Sequence, residues 1–261
     1  MKKILWINPV GWYDTFDSST TTFQTQFKKV LTNDITVDIT YLERGPQHLE
    51  YHYYEALVLL DILNKIKKAE KDGYEAAIIG CFYDPGLREA REITKKMVVT
   101  APAEASMHIA STLGHKFSII VGRNKWVPKM MENVVNYGFK DRIASFKAVG
   151  LGVQDFHKDE KNTEMLLKRA AKEAVENDGA EVIILGCTMQ FGFYKELQEY
   201  LGIPVIDAIF APLKYAEFLM EIKNKFNWTH SKIGYYESPP IEEIKAWKLE
   251  EQYNMQGLWF D

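Results

Sequence analysis

The sequence predicts an α/β protein of two pseudo-symmetric lobes, each a mainly parallel sheet flanked by helices, with the active site in the cleft between them. Two observations predict it. Short apolar runs alternate with helical patterns along the chain, the signature of βαβ units. A stretch also occurs twice: DGYEAAIIGC at 72–81 and DGAEVIILGC at 178–187 share Asp, Gly, Glu, Ile, Gly and Cys in one register, 106 residues apart (187 − 81). The register continues to Gly86 and Gly192, which implies two halves of like structure.

In chain order, KILWIN (3–8) reads as a first strand that ends at Asn8-Pro9, where a loop can hold a ligand. The following loop carries Trp12, Tyr13 and Phe16, either packed on the surface or closing over a substrate, and Phe23 to Leu31 reads as an amphipathic helix. ITVDITYLE (35–43) is a second strand, running into a turn at Arg44-Gly45-Pro46, and a helix from Tyr53 to Lys71 delivers the chain to the first repeat. Each repeat is an acidic Asp-Gly helix end, then an apolar run of the length of a strand buried on both faces, then Gly-Cys. Glycine there allows a sharp turn or a close approach. Asp84-Pro85 reads as the cap and first turn of a helix over LREAREITKK, and Glu104 as a first-turn acid of the next helix. MVVTAPA (97–103) is a strand or crossover; KFSIIVG (116–122), FKAVGLG (146–152), GIPVIDA (202–208) and SKIGYY (231–236) are strands. The chain is expected to leave lobe one near residue 100 and return near 209, giving 1–99 with 209–261 and 100–208.

Composition bounds the function. Hydrophobic content of 46% and charged content of 26% are globular values, and a net charge of −4 argues against nucleic-acid or membrane-surface partners. No apolar run approaches the roughly 20 residues that span a bilayer. With two cysteines and no apolar segment after Met1-Lys2-Lys3, a cytoplasmic protein with reduced thiols is expected. No zinc-type spacing, Walker loop or GxGxxG occurs, so no cofactor is expected.

The chemistry centres on Cys81 and Cys187. Both fall at the carboxyl ends of parallel strands, where open α/β sheets place their ligands. The plain alternative is two small packing residues, but that does not explain matching Gly-Cys steps. A helix N-terminus just after Cys81 is expected to lower its thiol pKa from about 8.5 towards neutrality. A carbon acid that loses a proton from one face and regains it on the other needs two bases, and two homologous strand ends facing across a cleft supply them. Backbone N–H groups after each Gly-Cys are candidate donors to the enolate oxygen.

GCFYDPGLREAREI (80–93), APAEASMHIASTLGHKFSIIV (101–121), ILGC (184–187) and LGIPVIDA (201–208) resemble the aspartate/glutamate/hydantoin racemase superfamily, most closely its hydantoin and allantoin racemase branch. The likeness spans nearly the whole chain, including Gly45-Pro46. It implies a cofactor-independent two-base racemase of two α/β lobes, with self-association common in the family. It puts the catalytic cysteines at Cys81 and Cys187 and starts a substrate loop at Asn8 and Pro9; Gly45 and Pro46 are taken with them as substrate-binding positions. The chain departs from the branch where NPVGWYDTFDSSTTT replaces NPNTS, and where Thr188-Met189-Gln190-Phe191 replaces small residues. Thr188, with Met189 beside it, is more like the amino-acid racemases, whose hydroxyl there helps hold a carboxylate. Phe82 and Tyr83 instead suit a ring with a modest substituent. Three readings stay open: a racemase of a cyclic ureide such as a 5-substituted hydantoin or allantoin; an aspartate or glutamate racemase, or a related isomerase or decarboxylase; and a small-molecule binding protein.

Overall fold

In the computed structural model the residues described are 1–11, 17–255 and 257–260, with the side chains of 17–22 excepted. Trp12, Tyr13 and Phe16 lie outside them. The described chain runs β1 (Lys2–Gly11), α1 (Asp17–Val30), β2 (Ile35–Leu42), α2 (His52–Lys71), β3 (Ala76–Ile79), α3 (Leu87–Ile93), β4 (Val98–Thr100) and α4 (Pro102–Leu113). It continues through β5 (Phe117–Val121), α5 (Val127–Asn136), β6 (Ile143–Ala148), α6 (Glu160–Asp178), β7 (Val182–Leu185), α7 (Tyr194–Leu201), β8 (Val205–Ile206) and α8 (Phe210–Phe226), and ends in α9 (Ile241–Ala246) and α10 (Leu249–Gln252).

The strands form two parallel sheets of one topology, β2-β1-β3-β4 and β6-β5-β7-β8. The repeat therefore lies at the same place in each sheet, β3 beside β1 and β7 beside β5, where strand order reverses and a crevice opens. Alternation sorts the first sheet's residues onto two buried faces. Ile4, Trp6, Ile78 and Val98 pack with Phe23 and Phe27 of α1 and Leu213 and Met220 of α8. Leu5, Ile7, Ala77, Ile79 and Val99 pack with Val58, Ile62 and Ile66 of α2 and Leu87 of α3. Both faces being covered explains why these strands read as unbroken apolar runs.

The helices that follow the last strand of each sheet, α4 and α8, pack against each other, with His108 stacked on Tyr215 at 5.6 Å. Because α8 covers the first sheet, we propose lobe limits of 1–99 with 209–261, and 100–208. No helix among the described residues is long and apolar enough to cross a membrane.

Two sequence expectations need correction. SKIGYY is not a strand: Gly234 turns with φ 78°, Ile233 is 89% exposed, and the segment is pinned by Lys232 to the carbonyls of Arg91 and Glu92. The edge of the first sheet is met instead by a side chain, Val99 N–H donating to His230 Nε2 at 3.0 Å. The strand expected at 146–152 lies at Ile143–Ala148, since Gly150 and Leu151 N–H both turn in to Gly122 O.

Candidate active site

Each Gly-Cys step ends a central strand. Gly80 N–H donates to Ile7 O and Gly186 N–H to Ile120 O, both at 2.8 Å. Neither glycine has a left-handed φ. A Cβ on Gly80 would lie 2.5 Å from Trp6 Nε1, and one on Gly186 2.7 Å from Ile119 Cγ2. Both are glycine because the neighbouring strand's side chain fills the space.

The cysteines that follow meet. Cys81 and Cys187 line one cavity of about 120 Å³ between the two sheets. Asn8, Pro9, Phe82, Tyr83, Thr188 and Met189, the substrate-binding candidates, also line it. Gly45 and Pro46 do not. Their turn, with Gly45 at φ 130° and Pro46 O accepting from Gly11 N–H at 3.1 Å, sits behind the wall and delivers Gln47, His48, Leu49 and Glu50 to it. Tyr41, Trp126, Met130 and Val153 also line the cavity, and the sequence offered no signal for them. No lysine or arginine is among the described lining residues.

Asn8 is oriented by its own strand. Trp6 Nε1–H donates to Asn8 Oδ1 at 2.8 Å, which leaves the amide N–H₂ to face a ligand. Glu50 spans the cleft: it accepts from Val153 N–H at 2.9 Å, from Arg123 at 2.7 Å and from Trp126 Nε1–H at 3.4 Å. Burial alone would raise its pKa; the Val153 N–H and Arg123 outweigh that and hold the carboxyl below its usual range. Gln47 to Gln154 at 2.8 Å and Lys129 to Glu55 at 3.1 Å extend the same clasp.

The Cys81 thiol does not match the expectation of a lowered pKa. Burial pushes Cys81 far above its ordinary value against the pull of the Tyr83 N–H, with the charges of Cys187, Glu55 and Asp84 adding to the rise. Burial likewise pushes Cys187 up to about 12, against donation from the Met189 and Gln190 N–H groups. The helix expected to lower Cys81 begins only at Leu87, too far along for its field to offset desolvation. Of the N–H groups following the cysteines, those of Phe82 and Thr188 meet no acceptor among the described residues.

Asp84 is also not the cap of its own helix. It has φ 50°, and its carboxylate reaches across to α4, accepting from Ala103 N–H and Glu104 N–H at 2.9 Å each and from Tyr137 O–H at 2.8 Å. Burial raises its pKa to about 7 against those three donors. Glu104 is no simple cap either, but the partner of Arg91 in a buried fork of 2.7 and 2.5 Å. Among the described residues no group of three or more His, Cys, Asp or Glu side chains is placed to hold a metal ion.

Residues 4–216 match the model of the Asp/Glu/Hydantoin racemase family. The chain belongs to that family. It is 34% identical over 242 residues to a hydantoin racemase of Pseudomonas sp. (strain NS671), covering 92% of this chain and 93% of the relative. It is 35% identical over 238 residues to a hydantoin racemase of Paenarthrobacter aurescens, covering 91% and 97%. The structure superposes on an allantoin racemase from Klebsiella pneumoniae with a TM-score of 0.82 at 27% identity, covering 92% of this chain and 94% of the other. This places the chain among the racemases, a class of isomerase, and sets aside the binding-protein reading.

Proposed function

We propose that this racemase inverts the Cα of a neutral cyclic ureide, a 5-substituted hydantoin ahead of allantoin, by a cofactor-free two-base mechanism with Cys81 and Cys187. The observation that carries the reading is that two thiols from homologous strand ends line a single cavity whose described walls hold one carboxylate, Glu50, and no lysine or arginine. One cysteine, as thiolate, removes the Cα proton and becomes a thiol. The electron pair moves onto the adjacent ring carbonyl, and the other cysteine gives its proton to the opposite face and becomes the thiolate. The pair then serves the reverse direction.

The Phe82 and Thr188 N–H groups are the donors available to the enolate oxygen, and the Asn8 amide N–H₂ to a second carbonyl. Glu50 suits ring N–H donors and would repel a dicarboxylate, which weighs against aspartate or glutamate. The mostly apolar and aromatic wall formed by Tyr41, Phe82, Tyr83, Trp126 and Met130 suits an apolar C5 substituent better than the polar ureido group of allantoin. The chemistry needs both thiols reduced, which fits a cytoplasmic enzyme; self-association, implied by the family resemblance, is open to sedimentation.

The test is deuterium uptake from heavy water, followed by NMR, over a panel of hydantoins, allantoin, aspartate and glutamate. Cys81→Ser should slow Cα exchange on one enantiomer by about 10²-fold or more, and Cys187→Ser on the other. Equal residual racemisation in both variants would reject the mechanism, and uptake confined to aspartate or glutamate would reject the substrate.

A further inference from the structure

We propose that Asp84 and Asp207 are paired positioning residues, each tying one cysteine loop to the first turn of the helix that follows the sheet's last strand. The inference rests on the two-base reading. Asp84 sits three residues after Cys81, donates its own N–H to Cys81 O at 2.9 Å, and accepts from the N–H groups of Ala103 and Glu104. Carried through the repeat offset of 106, Ala103 and Glu104 fall on Ile209 and Phe210. The first of these, the Ile209 N–H, donates to the Asp207 carboxylate at 2.7 Å, and the Phe210 N–H favours its charged form. Its other oxygen accepts from Gly192 N–H, on the loop of Cys187, at 3.3 Å.

The two halves thus meet one requirement from opposite ends. In the first, the carboxylate is carried by the cysteine loop and reaches the helix; in the second, it is carried by the strand end and reaches the loop. The position equivalent to Asp84 is Gln190, fully buried, whose side-chain oxygen and nitrogen find no hydrogen-bond partner among the described residues. Both aspartates are buried, so each fixes its loop through bonds that water does not weaken.

Asp84→Asn and Asp207→Asn, made separately in the full chain, test this. Cys81→Ser and Cys187→Ser first assign each face to its thiol. Asp84→Asn should slow exchange on the Cys81 face by about 10-fold and leave the other within about twofold, and Asp207→Asn should do the reverse. In parallel, iodoacetamide labelling read for each cysteine by peptide mass should speed about 10-fold at Cys81 relative to Cys187 in Asp84→Asn, and at Cys187 in Asp207→Asn, as each loop loosens. A purely structural role would alter both faces and both thiols alike, and that result, or no change, overturns the inference. Labelling needs no turnover, so cysteine variants that fail to separate the faces would reject the two-base reading while the thiol ratio still judges the aspartates. Should one variant not fold, the other decides alone.

Discussion

A thiol raised by burial is mostly protonated at neutral pH but is a strong base once ionised, and that shapes the expected pH profile. Cys81 lies far above its ordinary value and Cys187 at about 12, so the singly ionised pair is a minor species at pH 7. Its population rises up to tenfold for each unit of pH below the first ionisation. The kcat/KM measured from pH 7 to 10 should therefore climb towards a slope of about one logarithmic unit per pH unit, and a plateau below pH 8 would mean that substrate binding does not find the thiols protonated. At this scale the sequence located both cysteines, because they are the whole cysteine inventory and end a repeat. It misjudged the ionisation of Cys81 because desolvation depends on what the other sheet places over the thiol. Asp84 was misjudged for a related reason: a helix start was visible next to it, whereas the helix it caps begins 18 residues further on, at Pro102 (102 − 84).

At the scale of elements, the two Gly-Cys steps are junctions between strands rather than flexible turns. Gly80→Ala would drive a methyl into the Trp6 indole, which is fully buried and holds Asn8. It should cost about 1–3 kcal/mol in a urea melt and raise KM, since Asn8 loses its fixed donor. Gly186→Ala meets Ile119 and the Ile120 carbonyl and should cost a similar amount, without touching Asn8. Equal effects of the two changes on KM would contradict the role given to Trp6. The strands themselves were legible as apolar runs because both faces of each sheet are covered. SKIGYY was misread because a short alternating run carries no record of whether an edge is free to receive it. Here the His230 ring takes the Val99 N–H that such a strand would have used.

Over the whole molecule, two kinds of contact join the two halves. The helix α4 packs on α8, and along one side of the cavity the Glu50 clasp joins the loop after β2 to the residues after β5 and β6. Glu50→Ala leaves the Val153 N–H without its acceptor and should lower unfolding free energy by about 1–3 kcal/mol in a denaturant titration. The Arg123 contact adds little to that figure, because its side chain is 40% exposed. If Glu50 also receives ring N–H groups, the same variant should raise KM for hydantoins more than it changes kcat, read from steady-state kinetics.

The sequence alone determined the duplicated architecture, the parallel sheets and the two cysteines, since each is written in local runs and in a repeat whose register survives 106 residues of separation. The tertiary structure decided the rest of the site. Glu50, Trp126, Met130 and Val153 come together only because two sheets face each other, and the ionisation of the thiols follows from that enclosure. Pattern along a chain records which face of an element is buried; it does not record what from the other half of the molecule buries it.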